Sequence, residues 1–152
     1  MKPTLTLLLL IILTMTSHAQ RESTNLIVGY QQQHYPTLEV GIAHGVRNQY
    51  LYHNTHLSGE LLFRPHQSNL LGIKAGYSAS LLILQFNAQA IYYTELYNDS
   101  RIQSTAALRP ELGLSFLGIA QITYGYNIFL SKTTLGISNH LLSLRITFGT
   151  LN

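Results

Sequence analysis

From about residue 25 onward the chain repeats one pattern, with apolar side chains at every second position and polar residues or glycine between them. In 119–130, Ala120, Ile122, Tyr124, Tyr126, Ile128 and Leu130 alternate with Gln121, Thr123, Gly125 and Asn127. A period of two puts the two sets on opposite faces of a β-strand. The same alternation runs through Leu108, Pro110, Leu112, Leu114 and Phe116, through Leu142, Leu144, Ile146 and Phe148, and through Leu82, Leu84, Phe86, Ala88, Ala90 and Tyr92. In the last of these, Ile83, Ile91 and Tyr93 interrupt the polar face. Residues 75–94 and 112–131 carry no charge, and hydropathy alone would make them membrane-spanning helices. The order of their residues is that of strands.

Eight alternating segments fit the chain, at 25–32, 37–45, 55–63, 70–78, 81–94, 105–116, 119–130 and 140–148. The stretches between them are short and hold turn residues: His34-Tyr35-Pro36, Arg64-Pro65-His66-Gln67-Ser68-Asn69, Tyr97-Asn98-Asp99-Ser100 and Leu117-Gly118. Pro110 lies inside a segment and predicts either a missing ladder bond or a bulge.

An even number of strands of this length can close into a barrel with no unpaired edge. A soluble lipocalin-like barrel would point its apolar face inward, and an outer-membrane barrel reverses the two faces. Charge separates the alternatives. The chain is 46% hydrophobic and only 10% charged, where an ordinary soluble domain has about 25% charged residues. Glu39, Glu60, Lys74, Arg109, Glu111 and Arg145 all sit on the polar strand face, three of each sign. Six charges are thin cover for the exterior of a soluble barrel. Turned inward they neutralise one another in a lumen just wide enough for side chains. The predicted fold is therefore all-β: an eight-stranded antiparallel up-and-down transmembrane β-barrel, monomeric, its lumen closed by this charge network.

With odd strands running outward from the periplasm, Tyr30, Phe63, Tyr92 and Phe129 fall near the outer ends. Tyr77, Phe116 and Phe148 fall near the periplasmic ends, which makes two aromatic girdles at the two interfaces. Ahead of the strands, Lys2 precedes an apolar stretch from Leu5 to Met15 and then Ser17-His18-Ala19. This is the pattern of a secretory signal peptide, residues 1–19, and its apolar run is too short to span as a helix. Residues 20–152 then form one barrel domain, exported through the periplasm. With no Cys in the sequence, lipoprotein anchoring and disulfides are excluded. After removal of 1–19 the chain keeps eight basic and six acidic residues, too weak a balance to neutralise nucleic-acid phosphates.

The signal peptide, the eight alternating segments, the charges around Arg109-Pro110-Glu111 and the last strand from His140 to Phe148 carry a resemblance to a known family. The chain resembles the small outer-membrane β-barrel proteins of Gram-negative bacteria, in the style of the OmpA transmembrane domain and OmpX. The resemblance implies outer-membrane lipids as surroundings. It also implies insertion by the barrel-assembly machinery, for which the last strand looks like the signal, although Gly149-Thr150-Leu151-Asn152 follow its closing aromatic.

His56, Ser58 and Glu60 share one strand face and supply the residue types of a base, a hydroxyl nucleophile and an orienting acid. His56-Leu57-Ser58 also resembles the His-x-Ser of outer-membrane lipid A deacylases. Same-face neighbours stand roughly 6.5–7 Å apart along a strand, beyond hydrogen-bond reach, and this face is assigned to the lumen. The histidines beyond the leader, His34, His44, His53, His56, His66 and His140, have no strong zinc spacing, and no metal or other cofactor is predicted. His44 falls on the lipid face by alternation and is placed at the periplasmic interface. The expectation is a non-enzymatic barrel with a structural or surface-interaction role. The alternatives are a narrow pore for small solutes, a lipid-modifying enzyme and a soluble binding barrel.

Overall fold

The computed structural model describes residues 21–47, 51–65, 67–96, 103–116, 118–131 and 135–149. The predicted leader and the turn at 97–100 lie outside the described residues. The strands are β1 (Arg21–Gln32), β2 (Pro36–Arg47), β3 (Leu51–Leu62), β4 (Leu70–Leu81), β5 (Leu84–Glu95), β6 (Ser104–Phe116), β7 (Ala120–Tyr126), β8 (Ile128–Phe129) and β9 (His140–Phe148). Each pairs antiparallel with its chain neighbour from β1 to β7, and β8 also pairs with β6. The ring closes because β9 pairs with both β7 and β1.

β7 and β8 are one stave of the barrel. Both pair with β6 in a single continuous register, from Phe116 opposite Ala120 to Ala107 opposite Phe129, and the ladder lapses only beside Arg109 and Pro110. Proline has no N–H to donate, so its place in β6 accounts for the lapse. Of the two outcomes predicted for Pro110, the structure takes the missing bond, since the register with β5 also runs straight through Ala88 opposite Pro110. On the other side of the stave, Asn127 continues the pairing with the chain before β9. Its backbone N–H donates to Asn139 O at 2.6 Å, and its side-chain amide donates to Ser138 O at 2.7 Å.

The barrel is therefore eight-stranded, and its registers fix its stagger. A walk across paired residues from Glu22 passes Val46, His53, Ala79, Phe86, Leu112, Tyr124 and Leu142, and re-enters β1 at Gln32, ten residues further on. A stagger of this size goes with strongly tilted strands and a filled interior. Strand ends differ from the predicted segments by up to four residues, as at the starts of β1 and β3, and the β4–β5 turn shifts as a whole. Leu81 ends β4, Leu82 and Ile83 make the turn, and β5 begins at Leu84. Leu82 takes the left-handed conformation (φ 56°) that tight hairpins favour, although four consecutive aliphatic residues carry none of the usual turn chemistry.

Alternation decides which face goes where. The inward positions of β2, β3 and β4 bury Glu39, His56, Ser58, Glu60, Lys74 and Ser78, while Val40, Ile42, Leu57, Ile73 and Tyr77 on the same strands are exposed. The interior is polar and the exterior is apolar, the reverse of a soluble core. Glycine makes this interior possible where staves crowd: a Cβ on Gly72 would lie 2.6 Å from the Tyr93 ring.

Connections differ between the two ends. At the near end, where β1 begins, they are 48–50, 82–83 and 117–119; at the far end they are 33–35, 63–69, 96–103 and 130–139. Three of the four far-end connections are longer than any at the near end.

Candidate functional site: the charged lumen

The candidate site is the middle of the lumen. Glu39 on β2 and Glu60 on β3 are directly paired across the ladder, so the fold sets two carboxylates side by side on the inner wall. Lys74 on β4 answers both, its Nζ lying 2.8 Å from Glu39 Oε2 and 2.6 Å from Glu60 Oε1. From the opposite wall, Arg109 Nη1 on β6 reaches Glu60 Oε1 at 2.9 Å. Arg145 Nη2 on β9 lies 3.3 Å from Glu39 Oε2 and 3.7 Å from Glu111 Oε2. All six side chains lie in the interior, none of the residues more than 2% exposed. The three negative and three positive charges form one neutral cluster joining five strands.

Desolvating six charges is costly, and their mutual attraction offsets that cost only when hydrogen bonds satisfy the remaining donors and acceptors. Neutral side chains supply those bonds. Gln31 donates to both Glu39 and Glu60 through Nε2 and accepts from Arg109 Nη1 at 2.9 Å. Tyr93 donates its hydroxyl to Glu60 Oε2 at 2.6 Å and accepts from Arg109 Nη2. Asn127 Oδ1 accepts from Arg109 Nε at 2.7 Å. Asn87 and Thr123 donate to Glu111 Oε2 at 2.7 and 2.9 Å. The Arg109 guanidinium is thus held by Glu60, Gln31, Tyr93 and Asn127, all buried.

Alternation leaves the pairing among the six charges open, and the fold sets it: Lys74 is shared between two carboxylates. Arg109 pairs with Glu60 across the barrel and leaves Glu111, its near neighbour in sequence, to Arg145. Gln31, Tyr93 and Asn127 were missed as partners. Tyr93 carried a signal, since an aromatic on a polar face needs a reason, and a hydroxyl within the cluster is that reason.

Above the charges, toward the far end, the lumen turns apolar. Leu62, Leu70, Ile91 and Tyr93 pack with Leu135 and Ile137 from the β8–β9 connection, and Phe129 packs against them. Phe129 is consequently not a girdle residue. It has the parity of Asn127, two positions earlier, and points into this cap. The other six aromatics of the predicted girdles, Tyr30, Phe63, Tyr77, Tyr92, Phe116 and Phe148, are on the exterior and exposed. Arg64 fastens the cap from the β3–β4 connection, donating to Leu135 O at 3.0 Å, to Ser68 O at 2.6 Å and to Glu95 Oε1 at 2.9 Å.

His56, Ser58 and Glu60 all face the lumen, but they are not assembled for nucleophilic chemistry. Ser58 donates to Glu39 Oε1 at 3.0 Å, and His56 Nδ1 lies 3.4 Å from Ser78 Oγ. The serine thus faces an acid and the histidine faces a different serine. His44 is on the exterior near the near end, 3.1 Å from Thr24 Oγ1.

No family model matches the chain, and no curated protein matches it in sequence. Among solved structures it is similar to the N-terminal β-barrel domain of Pseudomonas aeruginosa OprF. The match has 16% sequence identity and a TM-score of 0.49, over 86% of this chain and 100% of that one.

Proposed function

We propose that the chain is an integral outer-membrane β-barrel with a structural or surface-interaction role, its lumen locked shut by the charge cluster, and without catalytic activity. The observation that carries this reading is the inverted burial. Lys74, Arg109, Glu39, Glu60 and Glu111 are fully enclosed while Val40, Ile73, Leu112 and Leu114 are each more than half exposed. Lipid is the surrounding that makes such an exterior stable. Strands of twelve residues, tilted by about 40°, rise roughly 25–30 Å, which matches the hydrocarbon thickness of a bilayer. The longer connections at the far end make that end extracellular and the near end periplasmic.

The cluster and the apolar cap together oppose a pore reading, because charged and aliphatic side chains fill the lumen at successive levels. Aromatic residues at both rims suit the two interfaces, with Phe63 and Tyr92 on the outer side and Phe116 and Phe148 on the periplasmic side. Heat-modifiable migration tests the reading. The purified chain, folded into detergent, is expected to run faster on a gel unheated than boiled, and to leave the membrane fraction only with detergent. Extraction in plain buffer with no heat shift would point to the soluble barrel instead.

A further inference from the structure

The apolar exterior does not end at one level around the barrel. On β4 to β9 it continues into the near-end turns. Leu81, Leu82, Ile83 and Leu84 form the tip of the β4–β5 hairpin, 48–64% exposed, and Phe116, Ile119 and Phe148 carry the edge on through β6, the β6–β7 turn and β9 at 71%, 49% and 51%. The tip is built into this edge, since Ile83 O accepts the Ser115 backbone N–H at 2.8 Å. A water-facing turn has no use for four aliphatic residues in a row.

On β1 to β3 the exterior is different. Thr24, His44 and Thr55 occupy outward positions there, paired side by side in the ladders. They hold one another through Thr24 Oγ1 to His44 Nδ1 at 3.1 Å and a bond from Thr55 Oγ1 to His44 O at 3.4 Å. In the next outward row, Glu22 is paired with Val46 and Val46 with His53; Glu22 is exposed and the other two are half-buried. A stagger of ten residues spread evenly over eight staves puts Thr24, His44 and Thr55 within about two residues' rise of Leu84, Phe116 and Phe148. At one height, therefore, one sector of the wall is polar and the other is aliphatic or aromatic.

We infer that the periplasmic-leaflet boundary follows this edge. Acyl chains reach the turn tips along β4 to β9, and phospholipid headgroups rise into a notch formed by Thr24, His44 and Thr55 on β1 to β3. The inference rests on the membrane reading above, and what supports the lipid occupant is continuity: the apolar foot is the lower end of the same belt that runs through Leu112, Leu114 and Ile122. The notch is a break in that belt furnished with hydroxyl and imidazole groups suited to a phosphate or ammonium headgroup.

The absence of Trp from the sequence makes single-Trp variants clean reporters. Ile83→Trp and Leu84→Trp would mark the foot, His44→Trp and Thr55→Trp the notch, and Leu112→Trp the middle of the belt. Two positions for each sector keep the comparison intact if one variant does not fold. The full chain lacking 1–19 is reconstituted in phosphatidylcholine vesicles and quenched with acyl-brominated lipid or with aqueous iodide. Foot and mid-belt Trp are expected to respond to bromine, and notch Trp to iodide at least roughly threefold more than the foot, with redder emission. Equal bromine quenching at His44→Trp and Ile83→Trp would overturn the notch. Iodide quenching at Ile83→Trp would overturn the foot. Notch Trp shielded from both quenchers would mean that protein, a second copy or another chain, covers the site in place of headgroups. Iodide quenching at Leu112→Trp would instead reject the membrane reading itself.

Discussion

Replacing Arg109 by Leu is expected to lower the stability of the folded barrel by about 3–5 kcal/mol, the usual cost of removing one partner from a buried charge cluster. The substitution keeps volume but strips Glu60, Gln31, Tyr93 and Asn127 of their common partner at once. It also leaves the cluster one charge negative. Urea unfolding in lipid vesicles, followed by the heat-shifted gel band, measures the loss. Arg109→Leu combined with Glu60→Gln should lose less than Arg109→Leu alone, because the surplus charge goes with the carboxylate. If the double variant is the weaker of the two, the pair does not act as a unit. An unfolding midpoint unchanged in Arg109→Leu would reject the lock.

Lys74→Met should have an effect of similar size for a different reason. Glu39 and Glu60 face each other on adjacent strands, and Lys74 is the cation that touches both. Without it two buried carboxylates are left side by side, Glu39 keeping Arg145 and Glu60 keeping Arg109. Loss of the partner is again worth about 3–5 kcal/mol. Adding Glu39→Gln should recover a measurable part, a coupling on the order of 0.5–3 kcal/mol between neighbours in one network. Unfolding midpoints of the single and double variants in one lipid give the coupling directly. A strictly additive result would mean that Lys74 acts on Glu60 alone.

Much of this architecture could be read from alternation, because a period of two fixes which residues share a face before any partner is known. That is why Glu39, Glu60, Lys74, Arg109, Glu111 and Arg145 could be grouped from the sequence, and why Val40, Leu57 and Ile122 could be turned outward. Pairing across the lumen was not legible. Which carboxylate Arg109 meets depends on the stagger of the closed barrel, a property of all eight staves together, so proximity in sequence to Glu111 does not decide it. The β4–β5 turn escaped because Leu81 to Leu84 offer no glycine, proline or asparagine, and the fold places Leu82 in a left-handed conformation regardless. Phe129 shows a different limit. Its parity with Asn127 pointed inward, but an aromatic near a strand end was read as a girdle residue. Only the folding of Leu135 and Ile137 into the barrel mouth shows what it packs against. The gap that Pro110 leaves beside Tyr126 and Asn127 was half legible, since the missing donor was predictable and the use Asn127 makes of its position, holding Arg109 and the β8–β9 connection, was not.

The apolar face of the closed barrel is expected to meet lipid while its charges lie inside. Spin labels on single-cysteine variants test this most directly, because the native sequence has no Cys. Labels at Leu108, Leu112 and Leu114, all outward on β6, should in vesicles collide with oxygen, which concentrates in acyl chains, and be protected from a water-soluble nickel complex. The depth signal should peak near Leu112. Strong collision with the nickel complex at all three positions would put that face in water and contradict the account.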